Sequence, residues 1–469
     1  MDEIRAPEFL AKELQDAGLP AASIDEWFAA EQRETTEFGE DRRLFAVYWA
    51  LGDALIARLP RKPQRSAAET IAVATIRGRA RASRQRFLAA YAEKIYATLT
   101  HDYSRFVRVE DLVLDAADAF PGLTPSRAQL DGEADTLQRD KDGLEIDQGL
   151  LLSHILAHEQ AGRHLCHAML LPRPESAEAL ARFAADGTLD LGRARLERKG
   201  RAAHLLAGNP RYLNAEDQTT IAAMEIAVDV ATLDPSSDIA VLRGAKVEHP
   251  KHAGRHVFGA GINLTHIYRG KIPYVWFIQR DLGFVHKFFR GVARPDALPD
   301  DVHGFGVEKP WIAVIENFAI GGHCQTLLTM DYVLAARDAY LTLPARKEGI
   351  IPGASNLRLP RFVGDRIARQ LVQYERRLEC DSPEGRLICD EIAPPEEMDA
   401  AIDRVVAGLA SSGAVGATGN RRAFRIGEEP LDLFRQYMAV YAREQAYCHF
   451  SPALIANLER YWDAQNRKG

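Results

Sequence analysis

The pattern of apolar and polar positions divides the chain into two textures. From the N-terminus to about residue 200, Ala, Leu, Glu and Arg recur at three- and four-residue intervals, the period of helices with one buried face. Residues 66–82, 83–99 and 149–171 are examples, and the Pro-bearing stretches 58–63 and 121–127 read as loops between them. Alternating β-branched runs are almost missing here, so residues 1–200 are expected to be all-helical. After Pro210 the texture changes. Residues 215–233 read as an amphipathic helix ending before Asp234-Pro235-Ser236-Ser237. Ile239-Ala-Val-Leu-Arg243, closed by Gly244, is a buried strand, and residues 309–316 (Lys-Pro-Trp-Ile-Ala-Val-Ile-Glu) are a second. Residues 332–336 and 339–343 are shorter strands, and helices return after Leu359. Strands alternating with helices predict an α/β layer with crossover connections.

The 469 residues are about three times an ordinary domain of roughly 150. The two textures predict two domains instead, an all-helical 1–200 and an α/β 201–469 with a helical C-terminal tail. An apolar content of 46% rules out a disordered chain, and a net charge of −7 argues against a nucleic-acid partner. No run approaches the roughly 18 apolar residues of a membrane span. Acidic residues at positions 2 and 3 stand where a signal peptide carries a basic flank. A soluble, cytoplasmic protein is expected. Cys166, Cys324, Cys380, Cys389 and Cys448 show no CxxC spacing, which argues against a disulfide framework or zinc ribbon.

His154, His158, His164 and His167 crowd one helical stretch. Two His four residues apart make a good start on a metal site. At about 100° per residue, however, His164 and His167 lie well off the face that His154 and His158 share. The four do not converge, and no metal is expected.

Two glycine turns in the α/β half carry more chemistry. Phe258-Gly-Ala-Gly-Ile-Asn-Leu264 follows the first strand, and Phe318-Ala-Ile-Gly-Gly-His-Cys-Gln325 ends the second strand and opens a helix. The first lacks the third glycine of a dinucleotide fingerprint. Two such turns can each aim one backbone N–H at a shared point, the second at a helix N-terminus with its partial positive charge.

The span from Asn209 to Val372 resembles the crotonase (enoyl-CoA hydratase/isomerase) superfamily. Asn209-Pro-Arg-Tyr-Leu-Asn-Ala215, Ile239–Gly244, Phe258–Leu264, Ile320-Gly-Gly-His-Cys-Gln325 and Gly349-Ile-Ile-Pro-Gly-Ala-Ser-Asn-Leu-Arg-Leu-Pro-Arg361 match its successive blocks in order. The resemblance implies the spiral ββα core of that superfamily. It places the donors of an oxyanion hole on the amides of Ile262 and Gly322. The departures matter as much. Where hydratases carry their two carboxylates, this chain has Gln325 and Ala345, the latter after Pro344. Adding water to a double bond needs that pair for proton transfer, so hydratase chemistry is disfavoured while enolate stabilisation is retained.

The helical N-terminal extension, the segment Thr265-His-Ile-Tyr-Arg-Gly-Lys-Ile-Pro-Tyr-Val-Trp-Phe-Ile-Gln-Arg-Asp-Leu-Gly283 and the tail from Met438 to Trp462 resemble one branch, the aryl-acetyl-CoA dioxygenases. That branch uses neither metal nor organic cofactor. The resemblance implies oxidation of 3,5-dihydroxyphenylacetyl-CoA by O2 to 3,5-dihydroxyphenylglyoxylate with release of CoA, in dihydroxyphenylglycine and glycopeptide antibiotic biosynthesis. Isomerisation or hydrolysis of another acyl-CoA, or silent acyl-CoA binding, are the alternatives. Trimers or dimers of trimers are also implied.

Further residues are candidates for the site. Ile350 is a wall of a dry space for oxygen or an ordinary core residue. Glu216, expected to open the helix at 215–233, and Gln325 are candidates for holding ring hydroxyls or orienting the thioester. Arg280, in an apolar-aromatic segment, either pairs with a carboxylate such as Asp281 or contacts the ligand, and contact is favoured. His249 either touches substrate or CoA or is structural. Arg243, Lys246, Lys251 and Arg255 are candidates for the CoA phosphates, against the alternative of a solvated loop. No residue presents itself as the base for the α-proton.

Overall fold

The structure is a computed structural model describing residues 7–31, 34–304, 306–411 and 414–467. Its centre is a seven-stranded sheet whose spatial order follows the chain. The strands are β1 (Thr188–Asp190), β2 (Ala194–Lys199), β3 (Ala202–Ala207), β4 (Ile239–Gly244), β5 (Trp311–Ile315), β6 (Tyr332–Ala336) and β7 (Glu391–Ala393). The first three pair antiparallel, and from β3 onward every pairing is parallel. All five residues of β5 are buried, because a parallel strand is covered on both faces and reads as a continuous apolar run. A second sheet joins Phe318–Ile320 in parallel to Tyr340–Thr342, which pairs antiparallel with Leu378–Glu379.

Two expectations need correction here. Helices give way to sheet at Thr188, not at residue 200, and residue 200 falls in the tight turn of the β2–β3 hairpin. One apolar core runs from Leu14 in the N-terminal helices to Ala464 near the C-terminus. The sequence of β2, Ala-Arg-Leu-Glu-Arg-Lys, buries Ala194 and Leu196 and exposes Arg195 and Glu197. That is strand alternation written in good helix formers.

The histidine-rich stretch also breaks in two, into helices Ile146–Ala157 and Glu159–Leu170, with His158 extended between them and capping the second. His164 bonds the Tyr96 hydroxyl at 2.8 Å and the Tyr103 carbonyl at 3.1 Å. His167 bonds the Arg294 carbonyl at 3.0 Å. These rings pack and satisfy neighbours. Among the described residues no helix is long and apolar enough to cross a membrane.

The C-terminal helix Leu431–His449 packs on Ile146–Ala157, where a methyl on Gly149 would lie 2.5 Å from the Ala446 Cβ. The same helix reaches the loop after Gly349. Gln445 accepts a bond from the Ile351 amide at 2.9 Å, and the Tyr437 hydroxyl donates to the Gly353 carbonyl. The N-terminal helices therefore support, through this tail, one wall of the region described next.

Candidate active site

The first glycine turn is held on both sides. Towards the second sheet, the Gly259 amide bonds the Phe318 carbonyl at 3.2 Å and the Ile320 amide bonds the Gly259 carbonyl at 3.0 Å. On its other side, the Glu216 amide bonds the Gly261 carbonyl and the Asn263 amide bonds the Glu216 carbonyl, each at 2.8 Å. Glu216 is thus extended backbone paired with Ile262, and the helix expected at 215 begins only at Ile221. Asp217 causes the delay. Its carboxylate accepts from the Thr219 amide and hydroxyl and from the Asn263 side chain, a turn that competes with helix.

This pairing engages Gly261 and Asn263 but leaves the amide of Ile262, between them, without an acceptor among the described residues. The Gly321 amide bonds the Thr342 carbonyl at 2.9 Å, and Gly322 then begins the helix Gly322–Leu327, where a first-turn amide has no carbonyl to reach. The two turns meet glycine against glycine. Gly261 has φ +79°, and a methyl there would lie 2.9 Å from the Ile320 carbonyl oxygen and 3.2 Å from the Gly322 nitrogen. Only glycine allows so close an approach in that conformation. Two unengaged amides, Ile262 and Gly322, thus stand on the two turns that this contact brings together.

Arg280, on the helix Tyr274–Leu282, lies directly beneath and is 1% exposed. Its guanidinium forms a bidentate pair with Glu216 and donates to Asp281 and Gln325, both at 2.8 Å, and to the Gly322 carbonyl at 2.7 Å. The favoured ligand contact is therefore replaced by internal pairing. Burial works against the guanidinium charge, and the Glu216 and Asp281 carboxylates override it, holding Arg280 above its ordinary value. Arg280 is a strut under the second glycine turn. Gln325 presents its oxygen to that strut and can transfer no proton. A small chamber walled by Met224, Leu242, Phe258 and Phe284 lies beside Glu216, His323 and Thr326.

The remaining expected residues are scattered. Ile350 is buried in the main core next to Gly349, and Ala345 is buried at the head of the helix Ala345–Glu348. His249 is exposed on the loop at 245–256, where its Nδ1 accepts from the Lys251 amide, and it does not join the Arg280 cluster. Arg243 is engaged by Glu316 at 2.6 Å and by Asp399 at 2.7 Å, which removes it as a free phosphate ligand. Arg255 pairs with Asp338 at 3.0 Å on the surface. Lys246 and Lys251 stay exposed on the same loop.

Sequence reasoning missed His323, although it stands beside Gly322. Its Nδ1 accepts from the Gly261 amide at 3.0 Å. It missed Tyr437 and Gln445 too, which brace the 349–353 loop from a helix more than eighty residues away.

A profile of the family described as enoyl-CoA hydratase/isomerase matches residues 293–424. The (3,5-dihydroxyphenyl)acetyl-CoA 1,2-dioxygenase of Amycolatopsis orientalis is 45% identical over 409 residues, covering 87% of this chain and 93% of that protein. Such coverage necessarily reaches into the N-terminal helices. Crotonyl-CoA hydratase of Syntrophomonas wolfei is 26% identical over 220 residues, 46% of this chain and 75% of the hydratase. Among solved structures, an enoyl-CoA hydratase/isomerase from Xanthobacter autotrophicus Py2 is 19% identical, with a TM-score of 0.48, covering 59% of this chain and 96% of its own. By the long relationship and the matched profile together, the chain belongs to the crotonase (enoyl-CoA hydratase/isomerase) family.

Proposed function

We propose that this protein is a (3,5-dihydroxyphenyl)acetyl-CoA 1,2-dioxygenase, using O2 to convert the thioester to 3,5-dihydroxyphenylglyoxylate and CoA without metal or organic cofactor. The substrate follows from the relative that is 45% identical over most of both chains. The chemistry is supported by one observation: the turns bearing two unengaged amides, Ile262 and Gly322, pack glycine against glycine, while Gln325 and Ala345 stand at the sequence positions where a hydratase carries its carboxylates.

A thioester oxygen bound by both amides acidifies the adjacent benzylic C–H, because the charge of the enolate develops on that oxygen. The enolate, conjugated with an electron-rich ring, can give an electron to O2 directly. Recombination leaves a peroxide on the α-carbon, which attacks the thioester carbonyl and expels CoA. Cleavage of the O–O bond with loss of the second α-hydrogen yields the keto acid. The two oxygen atoms of O2 enter the product, and the two hydrogens leave as the CoA thiol proton and a solvent proton. Water would reprotonate the carbanion, and the apolar walls of the chamber by Phe258 and Phe284 favour its exclusion. Of the four basic candidates, Lys246 and Lys251, exposed after β4, are the ones we assign to the CoA phosphates. We place the enzyme in the cytoplasm as a trimer or dimer of trimers, which light scattering tests.

The deciding experiment is oxygen uptake by purified, chelator-treated protein given (3,5-dihydroxyphenyl)acetyl-CoA, with product analysis. One O2 consumed per CoA released supports the dioxygenase. Aryl-acetate and CoA without oxygen uptake identify a thioesterase, and no turnover identifies a silent acyl-CoA binder.

A further inference from the structure

An enolate mechanism needs a proton acceptor, and the groups nearest the two amides are already committed. Glu216 and Asp281 both accept from Arg280, and the His323 Nδ1 lone pair takes the Gly261 N–H. Gln325 and Ala345 have no basic atom for the task.

Glu348 is different. It ends the helix Ala345–Glu348, three residues beyond the position where hydratases carry their second carboxylate, and it is 9% exposed. The two basic residues of its own turn, Arg346 at 2.8 Å and Lys347, are both taken by Glu375. Among the described residues the Glu348 carboxylate has neither a hydrogen-bond donor nor a cationic partner. Its place is set by the seam of the two glycine turns. A methyl built on Gly321 would lie 3.5 Å from Oε1, 3.8 Å from Oε2 and 3.7 Å from the Gly261 α-carbon. An unpartnered, nearly buried carboxylate therefore faces the residue whose peptide supplies the Gly322 N–H. A thioester with its oxygen on the Ile262 and Gly322 amides puts its α-carbon one bond from the carbonyl carbon, at the same seam.

We propose that Glu348 is the base that removes the α-proton. The Cα–H bond breaks, its electron pair moves onto the thioester oxygen held by the two amides, and the proton passes to the Glu348 carboxylate. This assignment rests on the enolate chemistry proposed above. Burial, with the neighbouring Glu375 charge, raises the Glu348 carboxyl to about 7, so its basicity suits neutral pH.

The test uses full-length protein, Glu348→Gln and Glu348→Asp, and two readouts with (3,5-dihydroxyphenyl)acetyl-CoA. These are anaerobic exchange of the α-hydrogens with D2O, followed by mass spectrometry, and aerobic oxygen uptake. Thioester affinity is measured anaerobically by calorimetry. Glu348→Gln is expected to keep affinity within about threefold and to lose about 10²–10⁴-fold in exchange, the span of general-base catalysis. Glu348→Asp is expected to keep partial exchange with its pH midpoint displaced from that of the natural enzyme. Exchange at the natural rate in Glu348→Gln overturns the assignment while leaving the dioxygenase reading intact. Should Glu348→Gln not fold, an unchanged rate and midpoint in Glu348→Asp overturn it equally. Natural protein that exchanges the α-hydrogens but consumes no oxygen overturns the dioxygenase reading and leaves Glu348 to be judged by exchange alone. Natural protein that does neither overturns both.

Discussion

His323 Nδ1 accepts a hydrogen bond from the Gly261 amide at 3.0 Å, tying the residue after one proposed oxyanion donor to the residue before the other. Burial lowers the His323 pKa, so the ring is neutral near pH 7 and this lone pair is available. Nε2 then carries the hydrogen, 4.0 Å from Glu216 Oε1. A methyl on Gly259 would lie 2.2 Å from that ring, so the imidazole fills the floor of the first turn.

His323→Phe keeps the ring but leaves the Gly261 N–H buried without an acceptor, at a cost of about 1–3 kcal/mol. If that cost falls on the alignment of the Ile262 amide, kcat for oxygen uptake falls about 10- to 100-fold with a smaller change in KM. Steady-state oxygen electrode kinetics check this. An unchanged kcat shows that the cross-brace does not hold the donor.

Gly322→Pro deletes the second N–H outright. Loss of one oxyanion donor costs about 10²–10³ in kcat. A side chain there also meets Arg280 Nη2 and Glu216 Oε2, each at 3.1 Å, so circular dichroism must accompany the assay. A folded Gly322→Pro with full turnover rejects the Gly322 amide as a donor.

Arg280→Met removes the guanidinium that pairs with both Glu216 and Asp281, leaving two buried carboxylates without that partner. Breaking a buried pair from one side costs about 3–5 kcal/mol. Denaturant unfolding is expected to show that loss. The double change Arg280→Met with Glu216→Gln is expected to recover part of it, because one stranded charge is gone. No recovery places the stability elsewhere than in this pair.

Legibility in the sequence followed the range of the forces involved. β4 and β5 were legible because strands covered on both faces must be apolar throughout. The glycine turns were legible because backbone meeting backbone leaves room for nothing larger. β2 was missed because Arg, Leu, Glu and Lys satisfy helical propensity as readily as its own alternation. Glu216 was misplaced on a helix because its extended form comes from pairing with Ile262, forty-six positions away. For Arg280 the adjacent Asp281 was legible as a possible partner, but ligand contact was favoured over it because the second carboxylate, Glu216, is sixty-four positions distant. Nothing local marks Glu348 either. Only the folded chain shows that Arg346 and Lys347 turn to Glu375 and leave it alone.

The last prediction concerns acid. His449 is wholly buried, bonds the Ile272 carbonyl at 3.1 Å and lies against the Phe277 and Phe450 rings. Burial, with Lys141 nearby, lowers its pKa to about 3, and burial lowers that of His164 to about 4. In the unfolded chain both titrate near their ordinary 6.5. Above that pH neither state binds a proton, and their contribution to stability is fully present. Below it the unfolded chain takes up protons that the folded one refuses, so stability falls by about 1.4 kcal/mol per pH unit for each ring. The melting temperature is expected to be level between pH 7 and 8 and to drop by several degrees between pH 6.5 and 5. His449→Phe loses the bond to Ile272 and should melt lower at pH 8, yet with a shallower acid slope. Scanning fluorimetry across the two pH ranges separates offset from slope. An unchanged slope in His449→Phe shows that the acid-sensitive protons bind elsewhere.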